Sequence, residues 1–167
     1  MSRKFEFSES FDVAPDVAYE AMTDHDLWSK RVDDTKGRVD MEFATLPDGG
    51  FTVSMSEGVG AQVLPGIVKK VVRGDLKIVR TDTWGPLQGD RASGTLKGGS
   101  TGLPSKVDAT FTLEPSGSGS KLTLKGKAEV KIPLVGGKIE SMVTDMIGKL
   151  VRSESKQARE WLAERQT

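Results

Sequence analysis

Hydrophobic and polar positions alternate along the first strand-like segment and then change to a helical spacing. In Arg3–Phe11 the three phenylalanines share one parity, and the other parity is polar throughout, which predicts a half-buried strand. Pro15 is typical of a first helical turn, and apolar residues recur at helical spacing as far as Met22. Asp24 or Asp26 is suited to cap a second short helix.

The middle of the chain predicts successive antiparallel strands joined by turns. Apolar side chains occupy every second position in each run, and glycine or proline lies between several of the runs. The glycine-rich segment 98–102 predicts a bend between two strands. The residues expected to face inward are Val39, Met41 and Phe43; Phe51, Val53 and Met55; Leu76, Ile78 and Trp84; Ala92, Gly94 and Leu96; Val107, Ala109, Phe111 and Leu113; and Leu122, Leu124, Gly126, Ala128, Val130 and Ile132.

Two later segments have helical periodicity. Residues 62–74 place apolar side chains on one face and Lys69, Lys70 and Arg73 on the other, which predicts a surface helix that stops at Gly74. From about Leu134 to Trp161 an apolar stripe predicts one helix of roughly 40 Å at 1.5 Å per residue.

Composition narrows the possible chemistry. The chain has 167 residues, of which 36% are hydrophobic, so we expect one domain spanning residues 1–167. It has no cysteine and one histidine, which argues against disulfides, thiol catalysis and histidine-rich metal sites, and we expect no cofactor and no metal.

Lys+Arg and Asp+Glu are both 24, and the interleaved charges give no electrostatic footprint for nucleic acid. Without a long apolar run or a signal peptide, we expect a soluble cytoplasmic protein without stable membrane insertion.

Three segments carry a resemblance to a known superfamily: FEFSESFDVAPDVAYEAMTD at the start, DTW ending at Trp84, and KIPLVGGKIESMV at the junction between the sheet and the long helix. They resemble the helix-grip superfamily of START lipid-transfer domains, Bet v 1 allergens and polyketide cyclases, and most closely an uncharacterised actinobacterial family within it. The resemblance implies an α+β helix-grip fold, in which a curved antiparallel sheet wraps a long C-terminal helix and two short helices follow the first strand. It also implies a cavity for a hydrophobic small molecule, but it supplies no catalytic motif.

If the apolar parity faces a cavity, the sequence predicts its lining. The alternative is that the same side chains only pack on one another, because periodicity does not distinguish a cavity from a core. Small residues on the inward parity, such as Gly94 and Gly126, are compatible with a void or with close packing. The expected lining is Met41, Phe43, Val53, Met55, Trp84, Leu96, Phe111 and Leu124 from the sheet and Met142, Met146 and Leu150 from the helix.

Two charged residues interrupt the apolar parity of one strand. Arg80 and Asp82 are in phase with Leu76 and Trp84, so they are expected to point inward and to orient a ligand head group such as a carboxylate or hydroxyl. Glu57 is a candidate to join them. The alternative is a β-bulge or strand end that turns the charges into water.

The sequence leaves three functional classes open. The first is non-catalytic binding, transport or sensing of a hydrophobic, lipid-like or polyketide-like molecule. The second is a cofactor-independent enzyme of the cyclase or aromatase type, for which Arg80, Asp82 and Glu57 are the acid–base candidates. The third is a protein-interaction module with a solid core. Transient membrane contact through residues 64–73 is compatible with the first class, and we expect a monomer or a homodimer.

Overall fold

Seven strands and one long helix make up most of the fold. The computed structural model describes residues 2–34 and 39–165. The strands are β1 (Ser2–Phe11), β2 (Val39–Thr45), β3 (Phe51–Val59), β4 (Leu76–Trp84), β5 (Ala92–Thr101), β6 (Ser105–Ser116) and β7 (Gly119–Val130). The helices are α1 (Pro15–Met22), α2 (His25–Asp34), α3 (Gly66–Lys69) and α4 (Gly136–Arg165), and one 3-10 turn (Ala61–Val63) precedes α3.

The strands form one antiparallel sheet in the order β1-β7-β6-β5-β4-β3-β2. The first strand therefore pairs with the last, and α1 and α2 carry the chain from one edge of the sheet to the other. The sheet is curved, and α4 packs against β1 and β7 on its concave side. This arrangement confirms the predicted α+β helix-grip fold.

The two short helices are held by local contacts. Pro15 opens α1, as its fixed backbone angle favours. Asp24 caps α2, because its Oδ1 accepts a hydrogen bond from the backbone N–H of Asp26 at 2.7 Å. The second helix is longer than one turn, and its Trp28 ring donates to the backbone oxygen of Met22 at 2.8 Å. Trp28 thereby fixes the angle between α1 and α2.

The long helix begins two residues later than expected. Pro133 and Leu134 lie outside it, and Leu134 has a φ of 73°, a left-handed conformation that ends regular structure. The helix continues without interruption through Gly148 to Arg165. No helix among the described residues is both long enough and apolar enough to cross a membrane.

Two local predictions were wrong in detail. Residues 62–74 contain only part of a 3-10 turn and the four-residue α3, and Pro65, which has no N–H for an upstream carbonyl, separates the two. The glycine-rich segment 98–102 is mostly strand, since β5 continues to Thr101 and the turn lies at residues 102–104. Gly102 takes the positive φ of 83° that this turn needs.

The buried apolar side chains form two clusters at different ends of the molecule. The larger cluster joins α1, α2 and the C-terminal half of α4 to the sheet, with Trp28, Trp84 and Trp161 among its members. The smaller one joins α3, the start of β4, the turn after β5 and the start of α4, with Val68 and Ile139 among its members. The space between these clusters contains the candidate site.

Candidate functional site

An apolar cavity of about 380 Å³ lies between the sheet and the N-terminal half of α4. Its walls come from β4, β5, β6, the end of β7, α4 and the segment around α3. Most of the lining side chains are aliphatic. They include Val59, Val63, Leu64, Val68, Leu76, Ile78, Val79, Leu96, Leu103, Val107, Val130, Ile139, Met142, Val143, Met146, Ile147 and Leu150; the polar members are Arg80, Ser100, Ser105, Lys106 and Glu129.

The cavity exists partly because one wall lacks side chains. Gly98 lies on the inward parity of β5 opposite Arg80, and a Cβ there would make only ordinary contacts, 3.5 Å from Val107 Cβ. The other small residues have the opposite role. A Cβ at Gly94 would lie 2.6 Å from the backbone oxygen of Thr83, and Gly126 is packed still more closely. Close packing therefore holds at Gly94 and Gly126, whereas Gly98 has room for a Cβ at ordinary van der Waals distance.

Four charged side chains meet at the inner end of this cavity, and we call Arg31, Arg80, Asp82 and Glu154 the charge cluster. Arg80 binds Asp82 through two hydrogen bonds, from Nε to Oδ1 at 2.9 Å and from Nη2 to Oδ2 at 2.6 Å. It binds Glu154 through two more, from Nη1 to Oε2 at 2.8 Å and from Nη2 to Oε1 at 3.0 Å. Arg31 donates to the backbone oxygen of Glu154 at 2.8 Å. The cluster thus joins α2, β4 and α4.

The cluster is largely removed from water. Asp82 is 1% exposed, and the side chains of Arg31 and Arg80 are 10% and 12% exposed. The guanidinium groups of Arg31 and Arg80 lie 4.7 and 5.7 Å from the centre of the Trp28 ring, within the range of cation–π attraction. The hydrogen bonds and this ring compensate the arginines for lost hydration.

Burial and neighbouring charge shift the pKa values within the cluster in different directions. Burial raises the pKa of Asp82 above its ordinary value, although Arg80 acts against it. Burial would also raise the pKa of Glu154, but the positive charges of Arg80 and Arg31 outweigh it and lower that pKa. Burial lowers the pKa of Arg31, whereas Asp82 and Glu154 outweigh burial and raise the pKa of Arg80. Arg80 is therefore the centre of the cluster.

A second, smaller cavity of about 40 Å³ lies on the other side of the charge cluster. Arg80, Leu96 and Leu150 line both cavities, so they form the partition between them. Trp84 and Phe111, whose rings stack with centres 5.0 Å apart, form part of the wall of the small cavity.

The structure separates the predicted lining residues into three groups. Five line the large cavity: Arg80, Leu96, Met142, Met146 and Leu150. Asp82, Trp84, Phe111 and Leu124 line only the small one. Met41, Phe43, Val53 and Met55 line neither cavity, in contrast to the expectation. They pack into the larger core, where Phe43 lies 5.1 Å from the His25 ring and 5.5 Å from the Phe51 ring, so that end of the sheet is filled.

The two charged strand residues do point inward, and no bulge reverses their register. Asp82 pairs with Val53 and Leu96, and Arg80 pairs with Met55 and Gly98, in continuous ladders. Glu57 does not join them, because it is exposed near the end of β3. The carboxylate that joins is Glu154.

Sequence reasoning missed Glu154 and Arg31, although both occupy helical positions that signal burial. Glu154 follows Ile147 and Val151 at the spacing of the apolar stripe of α4, and Arg31 follows Trp28 by three residues. A charged residue on an apolar stripe indicates a buried partner. Among the described residues, no group of three acidic or histidine side chains is arranged to hold a metal ion.

The fold is the helix-grip fold of START-like structures, and solved structures share this architecture. TTHA0849 from Thermus thermophilus matches with a TM-score of 0.63 and 14% identity, over 99% of this chain and 100% of its own. Human STARD10 matches with a TM-score of 0.61 and 12% identity, over 98% of this chain and 66% of its own. A START superfamily protein from Mycobacterium smegmatis matches with a TM-score of 0.51 and 14% identity, over 98% of this chain and 97% of its own.

Sequence comparison identifies the family within this class. The chain belongs to the family described as "Protein of unknown function (DUF2505)", whose model matches residues 6–162. The uncharacterized protein Rv0481c of Mycobacterium tuberculosis is 29% identical over 174 residues, covering 97% of this chain and 98% of the relative. A Mycobacterium bovis protein, Mb0491c, matches to the same extent.

Proposed function

We propose that this protein binds a hydrophobic small molecule in the large cavity, without catalysis, as a carrier or sensor. The observation that carries the proposal is the 380 Å³ space lined by aliphatic side chains and Arg80. Ligand pockets in proteins have volumes of roughly 300 to 1,000 Å³ and combine an apolar wall with a few polar groups. We assign ligand contact to Arg80, Leu96, Met142, Met146 and Leu150.

The geometry supports binding over the cyclase or aromatase alternative. An acid–base catalyst needs a titratable group that is free to exchange a proton with the substrate. Asp82 and Glu154 both accept two hydrogen bonds from Arg80, and Glu57 is exposed and does not line the cavity. The carboxylates that could act as acid–base catalysts are thus bound to Arg80 or lie outside the cavity wall.

The cavity also favours binding over an interaction module with a solid core. A cavity of this size lowers stability, because its lining atoms lose the contacts that a filled core would provide. A ligand that fills the space would restore those contacts. The protein is therefore expected to melt at a higher temperature when the ligand is bound.

Native mass spectrometry of the gently purified protein is the direct test. A co-purifying adduct that is lost on denaturation and recovered by organic extraction would identify the ligand. The proposal fails if no adduct appears and if a panel of fatty alcohols, sterols and polyphenols neither binds nor raises the melting temperature.

A single side chain added at Gly98 tests the location of the site. Gly98→Leu places an aliphatic group at the cavity wall, where the Cβ makes only ordinary van der Waals contacts. We expect at least about a tenfold loss of affinity for the neutral fluorescent probe N-phenyl-1-naphthylamine, equivalent to about 1.4 kcal/mol of binding energy. Thr95→Leu is the matched control, because Thr95 is an exposed residue on the outward parity of the same strand. Equal affinities in both variants would place the probe elsewhere.

For ligand exchange we propose transient contact of the cavity rim with a membrane. Of the four large hydrophobic side chains that are exposed among the described residues, Val63 and Met146 line the cavity and form its rim. Exposed Lys69 ends the adjoining helix α3, and exposed Lys70 follows it as the C-cap. Apolar side chains beside basic residues favour an anionic lipid surface.

A further inference from the structure

The charge cluster at the inner end of the cavity is electrically balanced. Two guanidinium groups, from Arg31 and Arg80, are matched by two carboxylates, from Asp82 and Glu154. The remaining charged residues of the cavity wall are Lys106 and Glu129, which are cross-strand partners of opposite sign. The described wall therefore has no excess positive charge to attract an anion.

The hydrogen-bonding capacity of Arg80 is also nearly used. A guanidinium has five N–H donors. The Nε–H and one Nη2–H bind Asp82, while the second Nη2–H and one Nη1–H bind Glu154. One N–H on Nη1 remains. A neutral oxygen can accept one hydrogen bond there without disturbing either carboxylate.

An anionic head group would have to compete with the carboxylates of the protein. At the remaining N–H of Arg80 a carboxylate would lie beside Glu154 with no net positive charge to offset its lost hydration. Displacement of Asp82 instead would leave that carboxylate, which is 1% exposed, buried without Arg80, and this is strongly unfavourable. A hydroxyl or carbonyl oxygen carries no net charge and avoids this cost. The same balance that stabilises the cluster thus discriminates between ligands of equal size.

We propose that the cavity selects neutral amphiphiles with a hydroxyl or carbonyl head group beside Arg80 and discriminates against their anionic analogues. This inference rests on the proposed binding function and names the ligand class for the same site. Glu154 is the specificity-determining residue, because it neutralises the arginines without lining the large cavity itself.

Displacement of N-phenyl-1-naphthylamine from the wild-type protein by 1-decanol and by decanoate at neutral pH tests this selectivity. The two competitors have the same chain length and differ in head-group charge. We expect decanol to bind at least about tenfold more tightly, which corresponds to about one buried charge-assisted contact. Equal or tighter binding of decanoate would overturn the inference and leave the proposed function standing. Absence of probe binding would instead overturn the proposed function.

The same displacement experiment on the Glu154→Gln variant tests the role of Glu154, because the substitution leaves the two arginines with one carboxylate. We expect decanoate affinity to rise at least about tenfold relative to decanol affinity, because the arginines then carry an excess positive charge. Glu160→Gln, on the exposed face of the same helix, is the matched control and should change neither value. If decanoate affinity does not rise in Glu154→Gln protein that retains the melting transition and probe binding of the wild type, the role of Glu154 is refuted.

Discussion

At the scale of single residues, the charge cluster is the most unusual feature of this protein. Buried charges require partners, and Arg80 has two of them through four hydrogen bonds. The strand pattern predicted the inward direction of Arg80 and Asp82. It did not identify Glu154, because that partner is 74 residues away from Arg80 and belongs to another element.

Loss of Arg80 should be much more harmful than loss of an exposed arginine. Arg80→Ala leaves Asp82 buried without a cation, and we expect the free energy of unfolding to fall by about 3 to 5 kcal/mol. Arg91 also donates to a carboxylate, Glu114, at 2.8 Å, but its side chain is 63% exposed. Arg91→Ala should therefore cost about 1 kcal/mol or less. Urea unfolding at neutral pH measures the free energy of unfolding of both variants. Similar losses of unfolding free energy in the two variants would contradict a buried role for Arg80.

At the scale of elements, the strands approach one another closely where glycine occupies the inward face. Gly126 in β7 pairs with Ala109 in β6. A Cβ at Gly126 would lie 2.5 Å from Ala109 Cα and would overlap the backbone oxygen of Asp108. This contact is with backbone atoms, which cannot move without disturbing the ladder. Glycine at such a position permits the close approach of the neighbouring strand.

Gly126→Ala should destabilise the fold, because the added methyl group would force β6 and β7 apart. We expect a loss of about 1 to 3 kcal/mol of unfolding free energy, the range for overpacked sites. Gly58 in β3 provides the comparison, since a Cβ there would meet nothing within 4 Å. Gly58→Ala should be neutral or stabilising by up to about 1 kcal/mol. Thermal unfolding of the two variants measures this difference. A Gly126→Ala protein as stable as the wild type would refute the close approach of β6 and β7.

At the scale of the whole molecule, the cavity and its exposed apolar rim lie at one end of the sheet. The 3-10 turn, α3 and the turn after β5 are gathered there, while the hairpin between β6 and β7 lies at the opposite end. Val63 is 68% exposed although it lines the cavity. An entry route on this end fits the proposed contact with a membrane.

Val63→Asp should weaken association with vesicles that contain anionic lipid, because it places a negative charge on the apolar rim. We expect at least about a threefold smaller fraction of protein to float with vesicles of phosphatidylcholine and phosphatidylglycerol, roughly the effect of 0.7 kcal/mol. Ser116→Asp makes the same change of charge at the far end of β6, where Ser116 is exposed. If both variants float equally well, the proposed contact surface is wrong.

The local pattern of the chain was sufficient for most of the fold. Period-two alternation predicted the strands of the sheet, and the long apolar stripe predicted α4, because these patterns reflect which face of an element is buried. The prediction failed over residues 62–74, where Pro65 overrides an amphipathic pattern. Local sequence also indicated that Arg80 and Asp82 face inward, since parity is a property of one strand.

The position of the cavity and the pairing of charges inside the molecule could be established only from the tertiary structure. Met41, Phe43, Val53 and Met55 share the inward parity with Leu96, yet α2 covers their end of the sheet and the cavity lies at the other. Likewise, the balance of the charge cluster depends on α2 and α4 reaching the same point on β4. Parity tells which side of a sheet a residue faces, but packing between distant elements sets whether it meets a core, a cavity or a counter-charge.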